Sequence, residues 1–424
     1  LLAGAWDEWS ADLDAHLDRH GPLPVPPGPR SAGRLSPLIE LVERSGLTGR
    51  GGAGFPTGRK LRSVATRKGP AIVVANGMEG EPASAKDRLL LTRLPHLVLD
   101  GVSLAAEAVG ADGAYLAIHR GDHEYAAHLR RAISLRAKAG VDEVPIELAE
   151  LPRRYVASEQ SSIVRFLNGG PAVPTFAPPR PHESGVGGGP TLVNNVETLA
   201  HLAMIARYGD GWFRSLGAPH APGTMLVTVS GAVNRPGVYE IPLGTTIGHA
   251  MMIAGGPAER TRAVLCGGYF GRWLSAEVAW NVPLTHADLR HVESALGAGV
   301  LVAVPESACV LAETARVVRY LSEETAGQCG PCVFGLPELA DALAELAFTG
   351  GRGRAIRNTS RLVGLVDGRG ACRHPDGVAQ LVASALDTFA DDAFEHDQYG
   401  PCEGLRRRPL LPVPGDEDRD EVRK

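Results

Sequence analysis

Hydrophobic and polar positions along this chain change period three times. From Leu38 to about residue 215, helix-like and strand-like patterns alternate. SPLIELVERSGL carries apolar residues at helical spacing and predicts a helix ending at Gly46. PAIVVANG (70–77) and AYLAIH (114–119) are short apolar runs that predict buried strands. PHLVLDGVSLAAEAVGA and EYAAHLRRAISLRAKAG predict helices between and after them. This is α/β texture. From about residue 222, TMLVTVSGAV and VYEIPL flank the turn Asn234-Arg-Pro-Gly237 and predict two paired strands, followed by a short helix in TTIGHAMMIAGG. From about 305 to 397, ACVLAETARVVRYLSEE, PELADALAELAF, TSRLVGLV and DGVAQLVASALDTFADDAF each carry one apolar stripe. Four such segments with short connections predict an up-down bundle.

These shifts divide the chain into residues 1–35, an N-terminal extension containing the Pro-rich GPLPVPPGPR; 36–215, an α/β domain; 222–295, a small β-plus-helix domain; 300–400, a helical domain; and 405–424, a charged tail expected to be disordered. With 424 residues, 44% of them hydrophobic, each unit has material for a core. A net charge of −5 gives no footprint for nucleic acid. The most apolar stretch, GAGVLVAVPESACVLA, is broken by Pro305 and Glu306, so the chain is expected to have no membrane span of its own. LLAGAWDEWSADLDAH is acidic and does not read as a secretory signal. Six cysteines in this length predict reduced thiols and a cytoplasmic location, at most peripheral to a membrane complex.

The chemistry concentrates in a few stretches. GLTGRGGAGFPTGRK (46–60) spaces Gly49, Gly51 and Gly54 as GxGxxG, with Gly52, Arg50 and Lys60 alongside. A helix precedes it, unlike a Rossmann turn, but small residues beside cations suit an anion cradle better than a plain connector. After strand AIVVANG come Glu79 and Glu81, at a strand end where ligand-binding groups gather in α/β folds; the alternative is two solvated carboxylates in a turn. RYVASEQ offers Tyr155, Glu159 and Gln160, and PTLVNNVETLA offers Asn194 and Asn195, of which Asn195 could equally be a helix N-cap.

In this order the motifs resemble the family of NADH-binding flavoprotein (F-type) subunits of NADH:quinone oxidoreductase, with this chain a divergent member over roughly residues 40–390. The resemblance implies an FMN-binding α/β domain, then a ubiquitin-like β-grasp (SLBB) domain, then an all-α four-helix bundle carrying an iron–sulfur site. It places FMN phosphate and dinucleotide at Gly49, Arg50, Gly51, Gly52, Gly54, Phe55 and Lys60. It assigns the flavin and nicotinamide region to Asn76, Glu79 and Glu81, and the flavin lining to Tyr155, Glu159 and Gln160. Asn194, Asn195 and Thr198 match its FMN-contacting Asn-Asn-Val-Glu-Thr motif. The chain departs from the family at Met78, where an acidic residue is usual, and at Leu61, Ser63 and Arg180, where aromatic residues are usual; Phe55 alone remains of the adenine-stacking set.

The cluster loop of the family carries Cys-Gly-x-Cys-x-x-Cys and a fourth cysteine further on. Here Ala326 stands at the first position, Cys329 and Cys332 remain, and the fourth falls near Val366. In an up-down bundle the first and third loops share one end, and the third, DGRGACRHPDG, holds Cys372 and His374. Cys329, Cys332, Cys372 and His374 are therefore the expected metal ligands. Cys402 is the competitor for the fourth position, but a fourth helix rising about 1.5 Å per residue carries it toward the opposite end. Three Cys and one His suit an iron–sulfur cluster or zinc; the resemblance favours a 4Fe-4S cluster. Cys266 and Cys309 read as packed core residues. The expected function is hydride transfer from NAD(P)H to FMN, then single electrons to the cluster and on to a redox partner, either a ferredoxin or a larger oxidoreductase complex. Two alternatives are a ferredoxin-linked electron-transfer module without an NADH site and a non-catalytic SLBB ligand-binding protein.

Overall fold

The computed structural model describes residues 1–2, 12–24 and 35–415; residues 25–30 of the Pro-rich stretch and the last nine residues of the tail lie outside the described residues. After α1 (Leu13–His20), Ser36 caps α2 (Pro37–Ser45), and Gly46 closes it in left-handed geometry, as the pattern predicts. The glycine loop then leads into α3 (Thr57–Ala65). Strand β1 (Ala71–Asn76), α4 (Lys86–Arg93), α5 (Pro95–Val109), β2 (Ala111–His119), α6 (His123–Ala139), β3 (Ile146–Leu151), α7 (Gln160–Leu167), β4 (Thr191–Asn195) and α8 (Val196–Arg214) complete the α/β unit. Its four strands are parallel, in the order β3-β2-β1-β4. The strand order reverses between β1 and β4, so a crevice opens at their carboxyl ends, where open parallel sheets bind ligands. Helix α5 is apolar almost all round and correspondingly buried; at Gly101 it packs so close to α8 that a Cβ would lie 2.0 Å from the Leu199 carbonyl oxygen.

After a two-residue pair, β5 (Gly217–Ala218) and β6 (Ala221–Pro222), a second sheet is built from β7 (Thr224–Gly231), β8 (Gly237–Pro242), β9 (Thr261–Cys266), β10 (Arg272–Ser275) and β11 (Val300–Pro305), in the order β10-β9-β11-β7-β8. β7 and β8 form the predicted antiparallel pair, and β11 runs parallel to β7. Alternation along β11 separates two cores. Leu301 and Ala303 pack with α9 (Ile247–Ile253), while Val300, Val302 and Val304 face the C-terminal helices. Cys266 lies in the first of these cores, as expected. Two short helices, α10 (Ala276–Ala279) and α11 (His286–His291), connect the strands.

The C-terminal helices are α12 (Val310–Glu323), α13 (Leu336–Phe348), α14 (Ala355–Val366), α15 (His374–Thr388) and α16 (Ala390–Tyr399). Each of α12 to α15 contacts the next, and α15 returns to α12. The fourth expected helix is thus two. Phe389 breaks it with φ −122° and ψ 42°, because its ring is buried beside Trp273, at 6.1 Å between centroids, and beneath the Arg262 guanidinium. The tail from 405 to 415 is also ordered, against expectation: Leu411 is buried, and the Leu410 and Leu411 N–H groups donate to the Glu313 carboxylate at 2.9 and 3.1 Å. No single helix among the described residues is long and apolar enough to cross a membrane.

Candidate functional site

Parallel pairing places Asn76 at the end of β1 opposite Asn195 at the end of β4. The glycine loop closes over this edge through Gly49 N–H to Phe55 O and Thr57 N–H to Leu47 O, both 2.9 Å. Gly54 adopts φ +60°, and a Cβ there would sit 2.1 Å from His286 Nε2, so only glycine fits between loop and second sheet. A Cβ on Gly51 would approach Asn195 Cβ to 3.2 Å, which brings the loop backbone against the end of β4. Arg50 joins the loop to the rest of the fold. Its N–H donates to Thr198 Oγ1 at 2.9 Å, and its buried guanidinium reaches Thr224 O and Thr48 rather than open space. The Lys60 ammonium donates to Val193 O at the same strand end; burial lowers it to about 8, against the pull of the Glu159 charge. Asn194 is buried with its Nδ2 unpaired, a donor that a bound ring acceptor would satisfy. Phe55 is 48% exposed, with Arg59 over its ring.

Beneath this edge lies a charged network that the residue pattern does not single out. Lys86 is buried, with Nζ 2.6 Å from Asp87 Oδ1, 3.0 Å from Glu197 Oε2 and 3.2 Å from Asn195 Oδ1. Asn195 caps α8 through Glu197 N–H and donates from Nδ2 to Asp87 Oδ2 at 2.6 Å. Burial raises Asp87 to about 6 despite the ammonium beside it. Glu197 is held at about 2: burial works against ionisation, but Lys86, His201 and Arg50 outweigh it. Glu79, at φ +40°, caps α4 by accepting from Asp87 and Arg88 N–H at 2.9 Å each.

Glu79, Glu81 and Tyr155 line a cavity of about 370 Å³, together with His119, Arg88 and Arg154. Glu81 accepts from Tyr269 N–H at 2.7 Å and Tyr155 O–H at 3.2 Å, yet burial still raises its carboxyl to about 7. Residues Pro412 to Gly415 of the ordered tail wall the same cavity. Met78 also lines it, and Leu61 is fully buried in the α/β core, so neither presents an aromatic face.

Gln160 opens α7, which Glu159 caps by accepting Ser161 and Ser162 N–H. Glu159 also acts on the Cys372 thiol through space, so Lys60 at the β4 strand end and the thiol loop both feel one carboxylate. The loop between α12 and α13 is docked on the α/β unit by Arg154 to Thr325 O at 2.6 Å and Gln328 to Pro174 O at 2.7 Å. Cys329, Cys332 and Cys372 come together there. Burial pushes Cys329 up, but N–H groups of Ala371 and Cys332 bring it below its ordinary value. Burial and the neighbouring Cys329 raise Cys332 to about 12, while Gly327 N–H faces its sulfur. Burial likewise raises Cys372, which receives His374 N–H. Sulfurs ringed by backbone N–H groups fit an iron–sulfur centre. The His374 ring turns aside: Nε2 donates to Leu321 O at 2.8 Å, the ring packs against Tyr155 and Phe270, and only the buried, unpaired Nδ1 is left to bind.

Among the described residues, the one trio whose metal-binding atoms all lie within 4.8 Å of one another is Cys309, His396 and Cys402; Cys329, Cys332, Cys372 and His374 are not drawn that close. Cys402 is thus remote from the thiol loop, as helix length predicts. Cys309 is more than core packing, since its sulfur caps α12 by accepting Ala312 N–H. The buried Lys86 and Glu197 stand inside the motifs NGMEGEPASAKDR and PTLVNNVETLA, and the one signal for them was a lysine beside alternating acids.

Comparison with known proteins agrees along most of the chain. Residues 42–204 match the Nuo51 FMN-binding domain, 226–268 the SLBB domain and 312–396 the NADH-ubiquinone oxidoreductase-F iron-sulfur binding region. The chain is 32% identical over 391 residues to the second F-type subunit of NADH-quinone oxidoreductase in Rhizobium meliloti, covering 88% of this chain and 92% of that one. It is 30% identical over 413 residues to the F-type subunit of NADH-quinone oxidoreductase in Streptomyces coelicolor, covering 93% and 90%. A solved structure of an NAD+-reducing NiFe-hydrogenase in its H2-reduced state superposes with a TM-score of 0.79 at 29% identity, over 91% of this chain and 66% of that one. With this identity sustained across nearly the full length of its relatives, the chain belongs to the family of F-type subunits of NADH-quinone oxidoreductase.

Proposed function

We propose that this chain is the electron-entry subunit of a larger redox complex, accepting hydride from NADH and delivering single electrons to a partner protein. FMN, when bound, supplies the conversion between a two-electron donor and a one-electron iron–sulfur cluster. Gly49, Gly51, Gly52 and Gly54 hold the phosphate side through their backbone, with Lys60 as the neighbouring cation and Arg50 fixing the loop. Asn76, Asn194, Asn195 and Thr198 orient the flavin at the crevice between β1 and β4, and Gln160 completes its edge. Phe55 offers the one exposed aromatic face at the loop for a base. Glu79, Glu81 and Tyr155 shape the cavity for the nicotinamide. Cys329, Cys332 and Cys372 hold the cluster, with His374 Nδ1 as the fourth donor.

The observation that carries this reading is Glu159, which lies within electrostatic reach of both Lys60 at the flavin edge and Cys372 at the thiol loop. The parallel β7–β11 pair inside a mixed sheet supports the β-grasp reading of 222–295, and the ring of contacts from α12 to α15 supports the bundle within 300–400. Residues 36–215 form the FMN unit in this division, and the whole sits at the cytoplasmic periphery of its complex.

Anaerobically purified protein is expected to carry both flavin and iron, and NADH is expected to bleach both. Cys372→Ser is expected to abolish the cluster spectrum while keeping FMN; an unchanged iron content would refute the ligand set. Bleaching by reduced ferredoxin but not NADH would replace the donor, and protein with neither flavin nor iron would leave only a binding role.

A further inference from the structure

We propose that Cys309, His396 and Cys402 form a second metal site, selective for zinc, that clamps the C-terminal segment to the start of α12. The three donors come from three elements: the N-cap of α12, the buried face of α16 and the loop that follows it. Their donor atoms all lie within 4.8 Å of one another, and Cys309 Sγ is 3.7 Å from His396 Nε2. A tetrahedral zinc with sulfur at 2.3 Å and nitrogen near 2.05 Å sets that edge at about 3.6 Å. The Cys309–His396 edge already has that length.

The surroundings suit the bound form. The Cys402 N–H donates to His396 Nε2 at 3.2 Å, so Nε2 is the nitrogen with the lone pair, and a metal would take that lone pair in place of the N–H. Ala312 N–H already faces Cys309 Sγ at 3.4 Å, ready to support a thiolate. Cys309 and His396 are buried and form a dry floor, whereas Cys402 is exposed, so water can complete the fourth position. The loop lies flat on the helix start: a Cβ on Gly404 would come within 2.8 Å of Cys309 N. Two thiolates and an imidazole select zinc over harder divalent ions, and both thiols release their protons to solvent on binding.

This site is independent of the electron-transfer centre. It lies at the opposite end of α12 from Cys329 and Cys332, a helix of 14 residues, or about 20 Å. What it fixes is the segment running from Cys402 through the docked Leu410 and Leu411 to Pro412, which walls the Glu79–Glu81 cavity.

The test uses the full chain. As-purified protein is expected to contain a single equivalent of zinc beside its iron. Cys402→Ser, at an exposed position, is expected to lose that zinc with iron unchanged. To separate the two thiol groups, cobalt(II) is added to a Cys329→Ser/Cys332→Ser variant. Tetrahedral thiolate–cobalt bands are expected there and are expected to vanish when Cys402→Ser is added. The proposal is overturned if Cys402→Ser keeps its zinc, if the cobalt bands are absent or survive that change, or if mass spectrometry of anaerobically prepared protein finds Cys309 and Cys402 joined as a disulfide.

Discussion

Replacing Lys86 by Met tests whether the buried network under the β1–β4 strand ends is held by charge. Methionine keeps the stem volume, so packing changes little. The ammonium it removes sits 2.6 Å from Asp87 and 3.0 Å from Glu197. At an effective dielectric of about 20, each contact carries roughly 6 kcal/mol of attraction. Against that stands the several kcal/mol released because lysine no longer has to be desolvated, and the escape of a carboxylate into its neutral form. The net expectation is a loss of ~3–5 kcal/mol at pH 7, the range for one partner removed from a buried ion pair. The loss has a pH signature. Asp87 is already raised to about 6, by burial first, and without the ammonium it shifts further up, while Glu197, held at about 2, loses the largest of the charges that hold it down against burial and rises too. A raised acid confers its stability below the unfolded pKa and loses it as pH climbs, so the deficit should shrink at pH 5. Urea unfolding at both pH values, followed by circular dichroism and flavin fluorescence, measures it. A deficit below ~1 kcal/mol at pH 7, or one that does not change with pH, would refute the reasoning. Adding Asp87→Asn and Glu197→Gln should restore much of the loss, because neutral groups need no counter-charge.

Glu81→Gln should flatten a pH dependence. The native carboxyl is raised to about 7 from 4.5, chiefly by burial, so wild-type stability should fall between about pH 4.5 and 7, by on the order of 3 kcal/mol, and the amide variant should not follow. Denaturation midpoints of both proteins across that window are the measurement. Gly101→Ala should destabilise by ~1–3 kcal/mol although alanine favours helix, because its Cβ would meet the Leu199 carbonyl at 2.0 Å; a stabilised variant in thermal melts would mean that α5 and α8 are free to part.

The periodic elements were legible because burial follows period: the strands AIVVANG and AYLAIH and the hairpin around Asn234–Gly237 lie where the pattern puts them. The glycine loop was legible as a cradle but not in its wiring, since nothing in GRGGAG says that the Arg50 guanidinium turns to Thr224 O. Lys86 was hidden because a lysine next to aspartate reads as a solvated pair; only the return of β4 beside β1 buries it. The break at Phe389 was hidden for a similar reason. Its cause is a ring that finds Trp273, more than a hundred residues earlier. Cys309, His396 and Cys402 converge only after that break turns α16.

One feature of the packing governs how the protein can be taken apart. Tyr155 of the α/β unit, Phe270 of the second sheet and His374 of the helices meet ring to ring, at 4.8 and 5.3 Å through Phe270. Around them a single apolar cluster runs from Ala83 through Trp273 to Leu411. Three sequence modules are therefore welded at one seam. Calorimetry should record one cooperative melt across that seam, and a module exchanged from a relative would arrive with a mismatched face. Three units that are distinct in sequence are thus expected to unfold as one.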